Sequence, residues 1–461
     1  METTTVNPFS DIEIVRWLGR NSLHRAIDCF NDGCREIDNT RDRADRDCLD
    51  IVLCATAPES WIGCGFSCMV KQQRVWFASP LWKQTEWTQV AQKAHPHLML
   101  GGAVPEVAFV NVSKPEGPAS EDPGVMIPTG GSSGDIKFAW HTLDTVTQAV
   151  NGMSRFFLGR DVQRGDFCYA CDLPLWHISG WMQLMRAYLS DSTWLQEQTA
   201  ILPTEKQGYR WLSLVPTQLA RLLESGSIDV LRAADFIVIG GGACPVHLLR
   251  EAMRVGLSLW VTYGMTETAG MIAGKQIRNE DDLELGAQVF PHCDISIDAA
   301  VGASGDDNWG EICVRSRSLC LGYDGERFRE PGLFPTGDIG SLDADHRLHV
   351  RGRMDAILNT GGEKVFPTEV QEIMSSHPAV SDCRVFGVDD SEWGTKIACV
   401  YATHDGESLD PTMLKQHVSS KLSSYKVPKI WRHVESLPYD SKGKISVSAL
   451  INLIAGDAEK S

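Results

Sequence analysis

From about residue 143 onwards, apolar segments of the length of strands alternate with amphipathic segments of the length of helices. One helix, for which Thr142 is a suitable cap, is predicted where apolar residues recur at steps of three and four, namely Leu143, Val146, Val150, Met153 and Phe157. Further strands are predicted at 167–173, 211–215, 236–239 and 257–261, and further helices at 182–189, 219–223 and 245–255. Short apolar strands separated by helices indicate a parallel sheet that is covered on both faces.

The amino-terminal quarter shows a weaker pattern. Residues 1–120 contain helix-like amphipathic pieces at 12–27 and 87–94 and a strand-like apolar run at 51–55, and they indicate no chemistry. Residues 111–122 are rich in Pro, Ser and Glu and are interpreted as a connecting loop.

Beyond Asp294 the apolar residues alternate with polar ones. This pattern predicts an antiparallel region rich in hairpins, with a strand at 311–315 and a hairpin at 338–350 that turns at 343–346. The charged segment 351–355 lacks apolar periodicity and is interpreted as a linker.

The last hundred or so residues predict an α+β unit, in which residues 356–358 and 365–366 flank a Gly-Gly turn, strands lie at 383–388 and 397–401, and helices begin at 367 and span 413–422. The fold is therefore predicted to be α/β. A large N-terminal domain (1–353) would contain parallel sheets covered by helices and a small barrel-like antiparallel region, and a smaller α+β domain (354–461) would follow.

Composition excludes some classes of function. The 461 residues carry a net charge of -17, which opposes a broad surface for nucleic acids or anionic membranes. The amino terminus has neither signal-peptide nor transit-peptide character, and no apolar run is long enough to span a bilayer. We therefore expect a cytoplasmic protein.

The 14 cysteines have no regular spacing. The C-x-x-C pair of Cys168 and Cys171 lies in an apolar run, without a second pair or a His cluster nearby. Zinc or redox chemistry is therefore disfavoured, and the cysteines are interpreted as small core residues in a reducing compartment.

Candidate chemistry begins in the segment 128–137, PTGGSSGDIK. Its glycines let the backbone approach a ligand, and its hydroxyls and lysine supply further donors, as a phosphate cradle requires. It is not a Walker A loop, because the residue five after Gly130 is Asp135. A flexible surface loop is the alternative. Similar loops at 240–243 (GGGA) and 263–267 (YGMTE) also follow predicted strands, so all three loops are expected at one edge of the sheet, where ligands of parallel sheets bind. A tight strand-to-helix turn is the alternative for GGGA.

Five motifs now stand in a fixed order along the chain: TGGSSGDIK, YGMTE, GLFPTGDIG, RGRMDAILNTGGEKVFPTEVQE and PYDSKGKIS. In this order the chain resembles the adenylate-forming superfamily of acyl- and aryl-CoA synthetases, luciferases and peptide-synthetase adenylation domains. The stretches MIPTGGSSG and LPLWHISGWMQLMRAYL (173–189) most resemble the family of 2-succinylbenzoate-CoA ligases. The cradle departs from the superfamily pattern at Gly130, where Ser is common, and at Ile136, where Pro is usual.

The resemblance implies an ATP site. Phosphate contacts would come from the cradle residues Thr129, Gly130, Gly131, Ser132, Ser133, Gly134 and Lys137. The later loops would contribute Gly241, Gly242 and Gly264, and the ring of Tyr263 would lie against adenine. Asp338 would accept hydrogen bonds from the ribose hydroxyls, with Arg353 as the second ribose contact; a turn or capping role is the alternative for Asp338.

Catalysis requires that a carboxylate attack a phosphate of like charge, so a metal and a lysine should converge on the oxygens. Glu267 is a hard ligand suited to Mg²⁺ and matches the metal-binding Glu of the family, and Thr266 matches its phosphate-contacting Thr. Lys444 matches the lysine that bridges the acid and the α-phosphate, with a solvated tail lysine as the alternative.

The second half-reaction would involve a mobile C-terminal domain. Asp355 matches the hinge position of the family, and rotation there would bring in the turn at Gly361 and Gly362. Because these residues lack side chains, pantetheine could reach the adenylate there.

The acid pocket is predicted from His177 and Arg186. Arg186 shares a helical face with Met182 and Leu189, and an arginine on an apolar face needs a partner anion. The resemblance matches it to an arginine associated with the second carboxylate of the aromatic acid. The alternative is a structural ion pair with Asp191.

The implied reaction converts ATP, an aryl dicarboxylic acid and CoA into acyl-CoA, AMP and pyrophosphate. Small molecules would be the partners, without nucleic acid or membrane insertion, and a homo-oligomer stays open. The alternatives are a ligase for a benzoate or a medium-chain fatty acid, a non-catalytic adenylate-binding protein, or a module that loads a carrier. The presence of Lys444, Glu267 and Asp338 together argues against a non-catalytic protein.

Overall fold

A computed structural model of the chain describes residues 20–44, 47–103, 122–130, 135–195, 208–299, 309–328, 332–360, 363–390, 393–438, 445 and 447–455. The first elements are α1 (Arg20–Ala44), β1 (Asp50–Leu53), α2 (Pro58–Val70), β2 (Arg74–Phe77), α3 (Gln84–Ala94), β3 (Leu98–Leu100), β4 (Gly124–Gly130), β5 (Ile136–His141) and α4 (Leu143–Leu158). The predicted helix at 12–27 lies partly outside the described residues, as does most of the predicted loop at 111–122.

The middle of the chain alternates strands and helices before strands predominate. Its elements are β6 (Phe167–Ala170), α5 (Ile178–Leu189), β7 (Thr193–Leu195), β8 (Tyr209–Leu214), α6 (Pro216–Glu224), α7 (Ile228–Arg232), β9 (Phe236–Ile239), α8 (Val246–Arg254), β10 (Leu259–Met265), β11 (Gly270–Ile277), α9 (Asp281–Glu284), β12 (Ala287–Val289) and β13 (Cys293–Asp298). The following segment contains β14 (Gly310–Ser316), β15 (Gly322–Tyr323), β16 (Glu326–Arg327), β17 (Phe334–Leu342) and β18 (Arg347–Arg353).

The last elements are β19 (Leu358–Thr360), β20 (Glu363–Val365), α10 (Pro367–Ser375), β21 (Val380–Asp390), β22 (Gly394–Thr403), α11 (Pro411–Ser419), β23 (Ile430–His433) and α12 (Val447–Ala455). They form a two-stranded sheet, β19-β20, and a three-stranded sheet, β21-β22-β23, with helices. The predicted α/β fold with a smaller C-terminal domain is confirmed. The α+β elements predicted after residue 354 are present, with the helix predicted at 413–422 shifted to Pro411–Ser419.

Two large sheets build the rest of the molecule. The seven-stranded sheet has the order β16-β15-β5-β4-β2-β1-β3, and the eleven-stranded sheet has the order β13-β14-β17-β18-β12-β11-β10-β9-β8-β6-β7. The predicted parallel strands β6, β8, β9 and β10 are neighbours in the second sheet. The antiparallel region that we predicted beyond Asp294 continues this same sheet, and its hairpin turns after Leu342 as predicted.

Helices α4 and α5 share one apolar core with both sheets. Thr142 caps α4 as predicted, because its Oγ1 accepts a hydrogen bond from the Thr145 amide over 3.3 Å. In α5, Trp181 packs on Phe77 of β2 with ring centroids 4.8 Å apart. Phe157 of α4 contacts the rings of β8 and β9 in the other sheet. The two helices therefore join the sheets, and the ends of strands from both sheets can meet at one site.

Three strands of the first half were not predicted. The strand-like run at 51–55 is β1 and the helix-like piece at 87–94 lies in α3, but β2 and β3, which pair in parallel with β1, were not predicted. Between the cradle and α4 lies β5, which pairs antiparallel with β4 from Val125↔His141 to Gly130↔Ile136. The cradle therefore lies between two antiparallel strands.

All 14 cysteines are free thiols. Within the described ranges, no three His, Cys, Asp or Glu side chains are grouped so that they could hold a metal ion. Among the helices that the structure describes, none combines the length and the apolar character that crossing a membrane requires.

Candidate active site

The parallel strands β9 and β10 are neighbours in the eleven-stranded sheet, and Ile239, the last residue of β9, pairs with Val261 of β10. The turn at 240–242 follows β9, and Gly241 adopts φ +79°, a left-handed conformation that favours glycine. The Thr262 hydroxyl donates a hydrogen bond of 3.1 Å to the Ile239 carbonyl and so ties this turn to β10. Two of the predicted ATP-site loops are thus adjacent.

The YGMTE segment is more regular than the sequence predicted. Tyr263 and Gly264 belong to β10, with an irregular register between them, and residues 266–268 form a single 3₁₀ turn. A Cβ on Gly264 would collide with the carbonyl oxygen of Gly270 on β11, so only glycine fits there. The close approach of β10 and β11 at Gly264 holds Thr266 and Glu267 at the end of β10.

The cradle reaches the same place from the other sheet, which corrects the prediction that all three loops share one sheet edge. Thr129 and Gly130 end β4 in the seven-stranded sheet. Lys137 is exposed on β5, and its Nζ lies 5.5 Å from the centroid of the Tyr323 ring. The two sheets converge because packing against shared helices brings their strand ends together, which sequence periodicity does not reveal.

Glu267 is buried, with 9% of its surface exposed. The Tyr323 hydroxyl donates a hydrogen bond of 2.8 Å to Oε1 of Glu267, and the Cys320 amide donates one of 2.7 Å to the backbone carbonyl oxygen of Glu267. Burial, together with the neighbouring Glu267 carboxylate, raises the pKa of Tyr323, so its hydroxyl remains a donor at neutral pH. Sequence reasoning missed Tyr323.

A second unpredicted contact holds the same turn. The Nε2 of His141, at the end of β5, lies 2.7 Å from the carbonyl oxygen of Thr266, and its Nδ1 lies 3.1 Å from Thr145 Oγ1. Burial lowers the pKa of His141 to about 4, so the ring is neutral at neutral pH. Because a carbonyl can only accept, the proton of the neutral ring is on Nε2.

Asp338 and Arg353 face each other on β17 and β18. The Asp338 carboxylate accepts a hydrogen bond of 2.7 Å from the Tyr263 hydroxyl and lies 3.4 Å from Arg353 Nη1. Burial raises the pKa of Asp338, and Tyr263 and Arg353 offset only part of this effect. Arg353 also pairs with Asp355 at 3.3 Å, so the predicted ribose residues and the predicted hinge are physically linked.

Arg186 lies within α5 and is 4% exposed. In the described part of the chain its Nε has no hydrogen-bond partner and no carboxylate forms an ion pair with it. Asp191, the alternative partner, instead pairs with Arg164 at 2.6 Å. The guanidinium lies 5.8 Å from the centroid of the Trp211 ring, and its Nη2 would be 3.7 Å from a Cβ on Gly270, just beyond the Glu267 turn.

His177 begins α5, and Arg186 lies about 13 Å further along the helix axis, so the two residues do not form a contact pair. A cavity of about 190 Å³ is lined by residues 171–176, which precede His177 in the chain, together with Trp61 and Trp194. Its walls are mostly apolar and aromatic, as in sites for aromatic ligands.

Several predicted residues lie outside the described part of the chain. They are Gly131, Ser132, Ser133 and Gly134 of the cradle, Gly361 and Gly362 between β19 and β20, and Lys444. Of the predicted residues that are described, Lys137, Thr266 and Glu267 are linked through Tyr323 and His141, and Tyr263 is linked to Asp338 and Arg353.

Glu267 fits a Mg²⁺ site. Tyr323 uses one carboxylate oxygen, and no cation of the described residues pairs with the other. Mg²⁺ binds hard oxygens and commonly takes one or two carboxylates together with substrate phosphates. A buried carboxylate with one oxygen uncommitted, near a phosphate cradle, meets that requirement.

Comparison with known proteins gives consistent matches. The model of the AMP-binding enzyme family matches residues 67–324, and that of the AMP-binding enzyme C-terminal domain matches residues 369–444. A 2-succinylbenzoate-CoA ligase of Bacillus licheniformis is 32% identical over 345 residues, which cover 70% of this chain and 69% of that protein. A probable 2-succinylbenzoate-CoA ligase of Mycobacterium tuberculosis is 28% identical and covers 74% of this chain and 87% of its own.

Solved structures share the fold. The o-succinylbenzoate CoA synthetase of Bacillus subtilis, in complex with its acyl-adenylate intermediate, superposes with a TM-score of 0.73 at 21% identity, covering 90% of this chain and 91% of that one. ATP-bound MatB of Rhodopseudomonas palustris superposes with a TM-score of 0.73 at 19% identity, covering 93% and 92%.

Proposed function

This chain belongs to the AMP-binding enzyme family, and from that premise we propose that it joins 2-succinylbenzoate to CoA through an acyl-adenylate formed from ATP. The observation that carries the choice of acid is Arg186, a buried guanidinium without a carboxylate partner in the described chain, close to the Glu267 turn. A buried charge is costly unless an anion compensates it. An acid with a second carboxylate supplies that anion, and the curated relatives act on such an acid.

The nucleotide would bind across the meeting point of the two sheets. Asp338 would accept hydrogen bonds from the ribose hydroxyls, assisted by Arg353, while Tyr263 would lie against adenine. The hydrogen bond from Tyr263 to Asp338 supports this arrangement, because it orients both side chains before the ligand arrives. The phosphates would extend toward the cradle and Thr266.

Glu267 would hold Mg²⁺ through the carboxylate oxygen that Tyr323 leaves uncommitted. When bound, the metal would neutralise charge on the phosphate oxygens. Glu267 is already buried and oriented, so its side chain would need little reorganisation when the metal binds.

In the first half-reaction, the carboxylate of the acid would attack the α-phosphorus of ATP and pyrophosphate would leave. Lys444 would neutralise charge between the two reacting groups. Arg186 would bind the second carboxylate and so orient the reacting one, because a charge-assisted contact in a dry pocket fixes a ligand's position. His177 and the cavity lined by residues 171–176 would complete the pocket for the aromatic ring.

In the second half-reaction, the thiolate of CoA would attack the acyl carbon and AMP would leave. We propose that residues 354–461 form a domain that rotates at Asp355. This rotation would take Lys444 out of the active site and bring the Gly361-Gly362 turn in. The contacts of Arg353 with both Asp338 and Asp355 support a hinge at this point, since a rotation there would change the ribose site directly. The absence of nucleic-acid partners stays a prediction from the sequence, and the oligomeric state stays open.

The test is acid-dependent exchange of pyrophosphate into ATP, with 2-succinylbenzoate, benzoate, coumarate and octanoate. We expect rapid exchange with 2-succinylbenzoate and little with the three monocarboxylic acids. Preferred exchange with benzoate or octanoate would assign the chain to another acid. No exchange with any acid would contradict the adenylation chemistry itself.

A further inference from the structure

Tyr323 connects the cradle strand to the predicted metal ligand. It lies on β15 and pairs with Ala139 on β5, the strand that begins at the cradle. Its hydroxyl donates to Glu267 Oε1 over 2.8 Å, and its ring faces Lys137 Nζ at 5.5 Å. The side chain therefore stands between the cradle lysine and the Glu267 carboxylate.

The backbone of the same turn is held from the same side. His141, at the other end of β5, donates from Nε2 to the Thr266 carbonyl over 2.7 Å. Cys320, just before β15, donates its amide to the Glu267 carbonyl over 2.7 Å. Two residues of the turn thus receive three hydrogen bonds from β5 and the segment paired with it.

We propose that Tyr323 and His141 are positioning residues for metal binding, which fix the Glu267 carboxylate so that one oxygen faces the metal at a set distance from the cradle. This inference rests on the proposed function. Tyr323 determines the orientation of the carboxylate by occupying Oε1, and His141 determines the position of the backbone that carries it. Neither residue needs to touch a substrate.

The geometry predicts a selective effect. A carboxylate that can rotate freely must be ordered when the metal binds, so metal-dependent binding weakens while binding of the nucleoside does not. In the described part of the chain, Tyr263, Asp338 and Arg353, which would hold the nucleoside, form no hydrogen bond with Tyr323 or His141. A residue that only stabilised the fold would not separate the two kinds of binding.

Tyr323→Phe removes the hydroxyl and keeps the ring, which packs edge-on against Phe328 at 5.5 Å. We expect the Mg²⁺ concentration for half-maximal ATP binding to rise about tenfold, as for a lost hydrogen bond to a charged group. AMP affinity without Mg²⁺ should stay within about twofold, because loss of a contact outside the nucleoside site leaves that equilibrium unchanged. Calorimetry measures both.

The matched control is Tyr401→Phe. Tyr401 is a buried tyrosine on β22 whose hydroxyl donates to the Leu409 carbonyl over 3.1 Å, far along the chain from Glu267. The Tyr401→Phe variant also loses a tyrosine hydroxyl and the hydrogen bond that this hydroxyl donates. The Mg²⁺ requirement of this variant should equal that of the unmodified protein.

His141 is tested by a pair of variants. The amide N–H of His141→Gln can replace Nε2–H as a donor to Thr266, whereas His141→Leu supplies no donor. We expect the Gln variant to retain most of the Mg²⁺ affinity and the Leu variant to lose about tenfold. Equal Mg²⁺ requirements in two folded variants would contradict the role of His141.

Failure of this inference differs from failure of the proposed function. If the unmodified protein binds ATP without any effect of Mg²⁺, the proposed metal site is wrong. If Mg²⁺ strengthens its ATP binding but Tyr323→Phe behaves as Tyr401→Phe does, the positioning role is wrong. If Tyr323→Phe weakens AMP and Mg²⁺-ATP binding equally, Tyr323 is a general structural residue and the inference is overturned.

Discussion

Replacing Arg186 with methionine should stabilise the free protein while impairing its chemistry. Burial lowers the pKa of this guanidinium from 12.5 to about 10. The difference corresponds to roughly 3 kcal/mol that the fold loses by keeping the group charged. A buried base whose pKa is lowered destabilises the folded state at every pH below that pKa, because the folded protein must keep the group charged. The full cost in stability is therefore present at pH 7.

Part of the gain is offset. The guanidinium lies over the Trp211 ring at 5.8 Å, a contact worth about 1 kcal/mol. Methionine fills a similar elongated space without charge, so Arg186→Met should raise the free energy of unfolding by about 2 kcal/mol. Chemical denaturation without ligands measures this, and thermal unfolding should shift upward by a few degrees.

Catalysis should move in the opposite direction. Loss of a charge-assisted contact to a substrate carboxylate in a dry pocket costs about 2 to 4 kcal/mol, or roughly thirty- to a thousand-fold in kcat/KM for 2-succinylbenzoate. Any slow turnover of benzoate should change much less, and the KM for ATP should stay the same. Initial rates of AMP formation with each acid provide the comparison.

Arg164→Met is the matched control. Arg164 pairs with Asp191 at 2.6 Å, but its side chain is 77% exposed. Its loss should change stability by at most about 1 kcal/mol and leave all acids unaffected. If Arg186→Met instead destabilises the protein by several kcal/mol and activity falls equally for every acid, Arg186 has a structural partner and the dicarboxylate argument is refuted.

Three further predictions concern the C-terminal segment and a partly buried histidine, His292. Lys444→Ala should lose adenylation by orders of magnitude yet convert supplied acyl-adenylate and CoA to thioester; equal loss of both steps would indicate misfolding. Gly362→Leu should exchange pyrophosphate but form little thioester, and a normal thioester yield would remove the turn from the mechanism. Burial and Arg155 lower the pKa of His292 from 6.5 to about 4, so the stability that the neutral ring contributes is present above pH 6.5 and is lost as pH falls toward 4. Between pH 7 and 5, His292→Leu should therefore lose about 2 kcal/mol less stability than the unmodified protein does. Denaturation at each pH measures this, and an unchanged pH slope would contradict it.

Local signals in the sequence predicted much of the fold. The apolar spacing after Thr142 gave α4 with its cap, because both depend on neighbouring residues. Arg186 stood out because a charge on an apolar helical face is unusual, and the structure places it in the interior. The hairpin at Asp338 was equally clear from alternation and turn residues.

Features that depend on tertiary packing were not predictable in this way. Lys137 was assigned to the cradle, which concealed the strand β5 that contains it. Tyr323 and His141 are 56 and 125 residues from their partners in the Glu267 turn. Their only local signals were a short hairpin around Asp324-Gly325 and the end of an apolar strand. Such contacts follow from the convergence of two sheets, and local patterns in a single sequence do not reveal that convergence.

The most direct test of the account is product analysis with the unmodified protein. Purified protein would be incubated with Mg²⁺, ATP, CoA and 2-succinylbenzoate, and thioester, AMP and ADP would be quantified by liquid chromatography and mass spectrometry. The account predicts one 2-succinylbenzoyl-CoA for each AMP, no ADP, and no product without the acid. Formation of ADP, or AMP without thioester in the presence of CoA, would contradict it.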